Sequence, residues 1–269
     1  MKIFVCMKQV PATQKVEIDP ESGAMKRSSD NTRTNPYDYF ALEAALEIRD
    51  REKEEYGKDS AVTVITMGPP SAEEMMKDAY AMGADQAVIL SDRKFAGADV
   101  LATSFTLSQG IQAEGGCDLI LCGRQTTDGD TAQVGPALAE HLGIPHAAWV
   151  REIIDVTEKD ITVRQDFAGV TQISRIPFPC LITVDKDMCV PRLPSYRRKR
   201  ETADRPVRIL SFQDLPVRDL TRYGLIGSPT SVERMFAPPA ARGQEYIEGA
   251  DGAEKARRML DILRKEKLI

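Results

Sequence analysis

Short apolar segments alternate with helical patterns through the first half of the chain, and no other feature restricts the fold as much. The apolar segments are residues 3–6, 61–66, 86–90 and 117–122. A strand without a polar face must be covered on both sides, as happens in parallel sheets flanked by helices. The alternation therefore predicts an α/β, Rossmann-like fold with an open, mostly parallel sheet and helices on both faces.

The helical patterns lie between these segments and carry apolar residues near the spacing of an amphipathic helix. Glycine follows two of them, at Gly83 and Gly143, where helices commonly end. The predicted helices are residues 38–56, 71–82, 98–113 and 131–142.

The pattern changes in the second half of the chain. Residues 149–156 and 160–166 flank a short polar turn and predict a hairpin, and residues 171–176 and 180–185 predict two further short strands. These strands are expected to be mixed or antiparallel additions to the sheet. Residues 203–250 are rich in proline, glycine and charge, which predicts an extended C-terminal arm rather than a packed segment.

A terminal amphipathic helix is predicted over residues 253–267, with Ala256, Met259, Leu260 and Leu263 on its apolar face. Two interpretations stay open for this helix. It either embraces a partner or docks on its own domain.

Composition excludes several classes of protein. The chain has 269 residues and a formal net charge of −5, which argues against non-specific binding of nucleic acid. No apolar run reaches the roughly 18 residues of a membrane span. The N-terminus begins directly with an apolar strand and lacks the pattern of a signal peptide, so we expect a cytoplasmic location.

Cysteine and histidine usage argues against a metal or disulfide framework. The chain has five cysteines, without a C-x-x-C pair, and two histidines. No serine–histidine–aspartate or cysteine–histidine constellation points to a hydrolase.

The segment after the fourth apolar strand is the most informative candidate site, because ligands of open parallel sheets bind beyond the carboxyl ends of the strands. Residues 123–136 contain glycines, hydroxyls and amides, and they precede a helix whose free N–H groups favour an anion such as pyrophosphate. Arg124 adds a positive charge. Asp128 and Asp130 would repel phosphate, so we expect them to cap the helix or to bind loop amides. Pro136 suits an early helical position and suggests a helix start later than Thr131.

The same loop has a simpler interpretation as a structural turn, since its spacing is neither that of a Walker A loop nor that of G-x-G-x-x-G. Residues 35–38 also have two interpretations. Asn35 can cap a helix that begins with Pro36 and has Asp38 in its first turn. Alternatively, an exposed Asn35 and backbone amides hold an adenine or a ribose.

Residues 99–104 place hydroxyls on the first turns of another predicted helix. Thr103 and Ser104 either bind a flavin or nicotinamide nucleotide, or hydrogen-bond back to their own helix.

Taken together, these segments resemble the beta subunit of electron-transfer flavoproteins. The resemblance covers most of the chain and rests on six stretches in order: residues 8–11, 35–38, 67–69, 81–85, 123–136 and 178–184, followed by the basic stretch that ends at Arg200. It implies an adenine-nucleotide-binding fold in a heterodimer with an alpha subunit that carries its own FAD. Ordinary members bind AMP in the beta subunit, with a structural and partner-docking role.

Residues 97–104 and 128–136 look like the electron-bifurcating type of this family. In that type the beta subunit binds a second FAD, which accepts a hydride from NADH. One electron then passes to the alpha-subunit FAD and an acyl-CoA dehydrogenase, and the other to a low-potential acceptor such as ferredoxin. The subunit is catalytic only within such a complex. Val100 departs from the threonine that bifurcating members often have there.

The resemblance also assigns site residues and domains. It divides the chain into a nucleotide-binding domain (1–190), a basic recognition loop (191–205) and a C-terminal arm and helix that contact the alpha subunit (206–269). In the recognition loop, Tyr196 matches the hydrophobic anchor for the dehydrogenase, with Arg197 beside it and further basic residues around it. The implied cofactor-binding residues are Cys6, Asn35, Pro36, Tyr37, Asp38, Met67, Asp99, Thr103, Gly123, Arg124, Gln125, Thr126, Thr127, Asp128, Gly129, Asp130, Thr131, Ala132, Gln133 and Val134.

A third hypothesis is a stand-alone adenine-nucleotide sensor on a related fold. The basic loop and the long C-terminal arm disfavour it, because an isolated sensor needs neither.

Overall fold

The computed structural model describes residues 1–12, 32–232 and 246–269. Nine strands of this described part form one sheet in the order β11-β5-β4-β1-β6-β10-β7-β8-β9, and β2 and β3 form a separate antiparallel pair. The strands are β1 (Lys2–Cys6), β2 (Gln9–Pro11), β3 (Thr32–Thr34), β4 (Ala61–Met67), β5 (Gln86–Leu90), β6 (Leu119–Gly123), β7 (His146–Val156), β8 (Asp160–Phe167), β9 (Val170–Pro177), β10 (Cys180–Val184) and β11 (Arg208–Leu210).

Helices cover both faces of the sheet, as the apolar strands predict. Along β1, Ile3 and Val5 pack into a cluster with α1 and α2, whereas Phe4 packs into a second cluster with α3 and α4. The helices are α1 (Pro36–Tyr56), α2 (Glu73–Met82), α3 (Val100–Ala113), α4 (Val134–Leu142), α5 (Tyr196–Glu201) and α6 (Gly252–Lys265).

The strand order places a crevice at the carboxyl ends of β1 and β6. From β1 the chain moves to β4 and β5 on one side, and then returns to β6 on the other side of β1. Connections that diverge in this way leave an opening between the two strands, where α/β proteins commonly bind ligands.

The strand β7 reverses its direction at Trp149. Its first residues pair in parallel with β10, and Val150 lies opposite Val184, at the carboxyl ends of the parallel strands. Glu158, just beyond β7, pairs with Lys58, which precedes β4 and so lies at the amino ends of the parallel strands. Lys58 Nζ and Glu158 Oε1 are 2.6 Å apart. The strand therefore turns back, and Trp149 at the turn has a left-handed backbone with φ of 60°. The second part of β7 then pairs in antiparallel fashion with β8, and β8 with β9, which confirms the predicted antiparallel additions.

The prediction of an extended, unpacked segment is wrong for its first part. β11 adds to the sheet edge beside β5, and Leu210, Phe212, Leu215 and Tyr223 are buried. Phe212 and Phe105 both contact the Tyr223 ring edge-on, with centroids 5.2 Å apart. Aromatic packing thus holds this segment on the domain, and residues 233–245 of the predicted arm lie outside the described residues.

The terminal helix α6 forms as predicted, and none of its residues is buried. Its apolar residues Met259 and Leu260 remain 47% and 43% exposed, respectively. In the described part of the chain, no helix is both long and apolar enough to cross a membrane.

Candidate functional site

Three segments distant in sequence meet at the crevice between β1 and β6. The Asn35 N–H donates to the Lys8 carbonyl over 2.8 Å. The Lys8 N–H donates to Asp38 Oδ2 over 2.7 Å, and the Asn35 side-chain amide donates to the Gln125 carbonyl over 2.9 Å. The residues after β1, the start of α1 and the loop after β6 therefore form one corner.

Gly123 makes this close approach possible. A Cβ atom at this position would collide with Tyr37, including its backbone carbon, and with the Asp38 carboxylate. The end of β6 and the first turn of α1 thus touch where only a hydrogen atom fits.

Asn35 is completely buried, so the expectation of an exposed asparagine is wrong. It occupies the N-cap position of α1, but its side chain makes no capping bond to the backbone. Its amide group donates instead to Asp38 Oδ1 and to the Gln125 carbonyl. Its Oδ1 atom is buried and has no hydrogen-bond partner among the described residues. A buried acceptor without a donor is costly.

Asp38 is a buried carboxyl group in the same corner. Burial raises its pKa to about 7, against the lowering effect of the hydrogen bonds from the Lys8 N–H and the Asn35 amide. Asp38 Oδ1 accepts a hydrogen bond from the Asn35 amide, so this carboxyl group orients the Asn35 side chain in addition to complementing the helix dipole.

The loop between β6 and α4 is held over this corner by one ion pair. The Lys8 ammonium lies 2.8 Å from Asp128, which also accepts the Gly129 N–H. The prediction that Asp128 binds a loop amide is confirmed. The pairing with Lys8 also offsets the repulsion that Asp128 would exert on a phosphate.

Helix α4 begins at Val134, later than Thr131, as the position of Pro136 suggests. Asp130 and Ala132 have left-handed backbones with φ of 50° and 54°, which cannot continue a right-handed helix. Neither aspartate caps α4, because the N-cap position is Gln133 and no side chain caps the helix. The first turn of α4 therefore carries the N–H groups of Val134 and Gly135, whereas Pro136 has none.

Arg124 binds protein groups rather than projecting freely into the loop. Its guanidinium lies 3.2 Å from Asp185 and 4.3 Å from the centre of the Trp149 ring. Sequence reasoning missed both partners, because only the turn of β7 and the end of β10 bring them to this loop.

Cys6 and Met67 end the two neighbouring strands β1 and β4 and are half-buried. Cys6 is opposite Cys122 in the sheet, and a hydrogen bond with Cys122 together with burial raises the pKa of the Cys6 thiol. Both side chains pack against the cluster beneath α3 and α4.

Asp99 and Thr103 lie at the start of α3, farther along the same edge of the sheet. Asp99 caps α3 through the Ala102 N–H and also accepts the hydroxyl and N–H of Thr230. Ser104 hydrogen-bonds back to its own helix, as one of the two interpretations expects. Thr103 is half-buried.

Tyr196 begins α5 and is 77% exposed, far from the crevice. Arg197 beside it pairs with Glu201 at 2.7 Å. Arg192, one of the basic residues near Tyr196 in the sequence, binds Glu43 in a partly buried ion pair. Two of the other basic residues, Arg198 and Lys199, are likewise engaged, with the Met82 carbonyl and with Asp78. Sequence reasoning did not weigh the exposed Val190 and Leu193, which precede Tyr196 and are 88% and 87% exposed.

Comparison with known proteins gives a consistent result. A model of the electron transfer flavoprotein domain matches residues 22–215. Subunit CarD of the caffeyl-CoA reductase-Etf complex from Acetobacterium woodii is 42% identical over 100% of both chains. The electron transfer flavoprotein subunit beta of Megasphaera elsdenii is 40% identical over 95% of this chain and 94% of its own. Protein FixA of Bradyrhizobium diazoefficiens is 40% identical over 98% of this chain and 91% of its own.

Proposed function

Because the chain belongs to the electron transfer flavoprotein family and matches its beta subunits over nearly their whole length, we propose that it binds FAD at the β1/β6 crevice and transfers electrons in a heterodimer with an alpha subunit. The FAD of this subunit would take a hydride from NADH and distribute its electrons between the alpha-subunit FAD and ferredoxin. A dehydrogenase acting on an acyl-CoA would receive the electrons that leave the alpha subunit.

The observation that carries the proposal is the buried Oδ1 atom of Asn35, which has no partner in the described part of the chain. The Asn35 amide is already committed to Asp38 and Gln125, so the group that completes the corner must be a hydrogen-bond donor. The exocyclic amine of adenine and the hydroxyls of ribose are such donors.

The loop over the corner suits the diphosphate of a dinucleotide. Its exposed residues include Thr127 and Thr131, which offer hydroxyls, and the uncapped N-terminus of α4 favours negative charge. Lys8 keeps Asp128 paired, so the loop presents less net negative charge to a phosphate than its sequence suggests.

The residues present therefore fit an adenine nucleotide. In this proposal the chain holds the adenosine end at Asn35 and Asp38 and the phosphates at residues 123–134. No side chain of the crevice needs to act as acid or base, because the redox chemistry belongs to the cofactor.

AMP with a structural role is the alternative ligand. The Asn35 corner does not separate the two, since FAD and AMP share the adenosine group. FAD is favoured by the likeness of residues 97–104 and 128–136 to bifurcating members, and by similarity to a chain named as a subunit of a caffeyl-CoA reductase-Etf complex.

A count of nucleotides tests the proposal. The chain is purified with its alpha partner and denatured, flavin is measured by absorbance, and AMP is measured by chromatography. Two flavins per heterodimer support FAD at the crevice, and one flavin with one AMP supports the alternative. One flavin without AMP contradicts both.

A matched pair of variants links the count to the corner. Asn35→Leu removes the acceptor and should release the beta-site nucleotide, whereas Gln213→Leu changes a surface residue in the C-terminal segment and should not. Full occupancy in Asn35→Leu would show that the nucleotide lies elsewhere.

A further inference from the structure

We infer that Arg124, Trp149 and Asp185 form a clamp that sets the direction of the loop between β6 and α4. In this arrangement Arg124 is a positioning residue rather than a phosphate ligand. This inference rests on the proposed function, because the loop it positions is the proposed diphosphate site. It also assigns a role to the strained Trp149.

Arg124 is the first residue after β6 and is fixed at both its backbone and its side chain. Its N–H donates to the Val184 carbonyl over 2.8 Å. One guanidinium nitrogen, Nη1, reaches both Asp185 oxygens, at 3.3 and 3.2 Å. The guanidinium carbon lies over the Trp149 ring, 4.3 Å from its centre. Turning the guanidinium toward the loop would break both contacts, with Asp185 and with the Trp149 ring.

Asp185 ties the ends of three strands together. Its side chain is 7% exposed, and it also accepts from Arg151 at 3.1 Å. Its N–H donates to the Val150 carbonyl over 2.9 Å, so the end of β10 is bonded to β7 while its carboxylate holds the residue after β6. One carboxylate shared by two arginines leaves a net positive charge, so what keeps Arg124 from a phosphate is the fixed position of its side chain and not the loss of its charge.

Trp149 completes the clamp at the turn of β7. A left-handed backbone is strained for a bulky residue, and glycine avoids that strain. The turn is held by the Trp149 N–H, which donates to Thr183 Oγ1 over 2.9 Å. Glycine at this position would relieve the strain and leave the guanidinium without its stacking surface. The ring is therefore the feature that the clamp needs.

The test separates a positioning residue from a ligand by comparing Arg124→Lys with Arg124→Gln in the heterodimer, after its beta-site nucleotide has been removed. AMP is the probe, and its Kd is measured at several salt concentrations. Lysine keeps the charge but can neither stack in a plane nor form the rigid fork of arginine. Both variants should raise the Kd for AMP to a similar extent, on the order of tenfold. Removing a residue that supports a binding site without touching the ligand has an effect of this size. The salt dependence should remain that of the wild type. Arg175→Lys is the control, since Arg175 makes a comparable ion pair with Asp160 on the surface.

If Arg124→Lys keeps the wild-type affinity while Arg124→Gln loses affinity and salt dependence, Arg124 is a direct ligand and the inference is wrong. It is also wrong if both variants bind AMP as the wild type does. Should the Arg124 variants fail to fold, Trp149→Phe and Trp149→Gly decide. Phenylalanine keeps a stacking ring and should keep the affinity, whereas glycine should lose it.

Fluorescence distinguishes failure of the clamp from failure of the proposed function. The chain contains one tryptophan, so its emission is obtained by subtracting the Trp149→Phe heterodimer from the wild type. Without nucleotide, Arg124→Gln should shift this emission, because it removes the stacked guanidinium. An unchanged emission contradicts the clamp, whereas a shifted emission in a heterodimer that binds neither AMP nor FAD contradicts only the proposed function.

Discussion

Among the carboxyl groups of the described residues, Asp38 has the most strongly raised pKa, so its ionisation should affect stability. Its pKa is raised to about 7 in the folded chain from an ordinary value of 3.8. The folded state therefore binds more protons than the unfolded state between these values, and stability is lost as the pH rises through this window. Asp38→Asn removes the ionisation, so the free energy of unfolding of the variant relative to the wild type should rise by about 2–3 kcal/mol between pH 5 and pH 8.

The measurement is denaturant unfolding of both proteins at the two pH values. Other titrating groups cancel in the comparison, and so does a constant cost of placing an amide beside the Lys8 N–H. A difference that stays flat between pH 5 and pH 8 would show that Asp38 ionises normally.

At the residue scale, the sequence identified the corner but not its chemistry. Asn35, Pro36 and Asp38 are recognisable because their residue types suit the start of a helix. The burial of Asn35 and the pairing of Lys8 with Asp128 depend on contacts across 90 and 120 residues of chain, which local patterns do not contain.

At the scale of one element, Gly123 at the end of β6 and Gly129 in the loop after it have different roles. Gly129 has only Thr126 Oγ1 near its possible Cβ position, at 3.9 Å, so the protein itself has room for a side chain there. Gly129→Val should therefore keep the stability of the nucleotide-free protein while losing beta-site nucleotide, because the side chain blocks the backbone from a ligand. Thermal unfolding and a nucleotide count measure the two effects.

Gly123→Ala is the matched comparison. Its added methyl group meets Tyr37 and Asp38 in the folded chain, so it should lower the stability even without nucleotide, by about 1–3 kcal/mol. If Gly129→Val retains nucleotide at full occupancy, this loop does not wrap the ligand.

Elements with a strong local pattern were predictable, and those that depend on tertiary contacts were not. The central strands are continuous apolar runs, so their positions follow directly from the sequence. The reversal of β7 was missed because a tryptophan carries no signal for a left-handed backbone. β11 was missed because its three residues follow a segment rich in proline and charge, and only the edge of β5 gives it a partner.

At the scale of the whole molecule, the proposed nucleotide site and the proposed partner contact lie at opposite edges of the sheet. The crevice is at the carboxyl edge, whereas Tyr196 lies on α5, which packs near the end of α2 at Met82. Tyr196→Ala should therefore slow electron transfer to the dehydrogenase and leave the flavin content unchanged. Stopped-flow reduction of the dehydrogenase flavin measures the effect.

Tyr56→Ala is the control for this prediction. Tyr56 is an exposed tyrosine as well, at 55%, but it lies at the end of α1. Transfer rates that do not differ between the two variants would remove Tyr196 as the anchor. The exposed Leu193 would then be the next residue to substitute.

Hydrogen–deuterium exchange of the heterodimer, with and without its beta-site nucleotide, is the most direct test of where that ligand binds. If the ends of β1 and β6 enclose it, amides in residues 37–38 and 123–134 should exchange more slowly together when the nucleotide is present. Protection confined to other segments, or no protection in these two, would contradict the account.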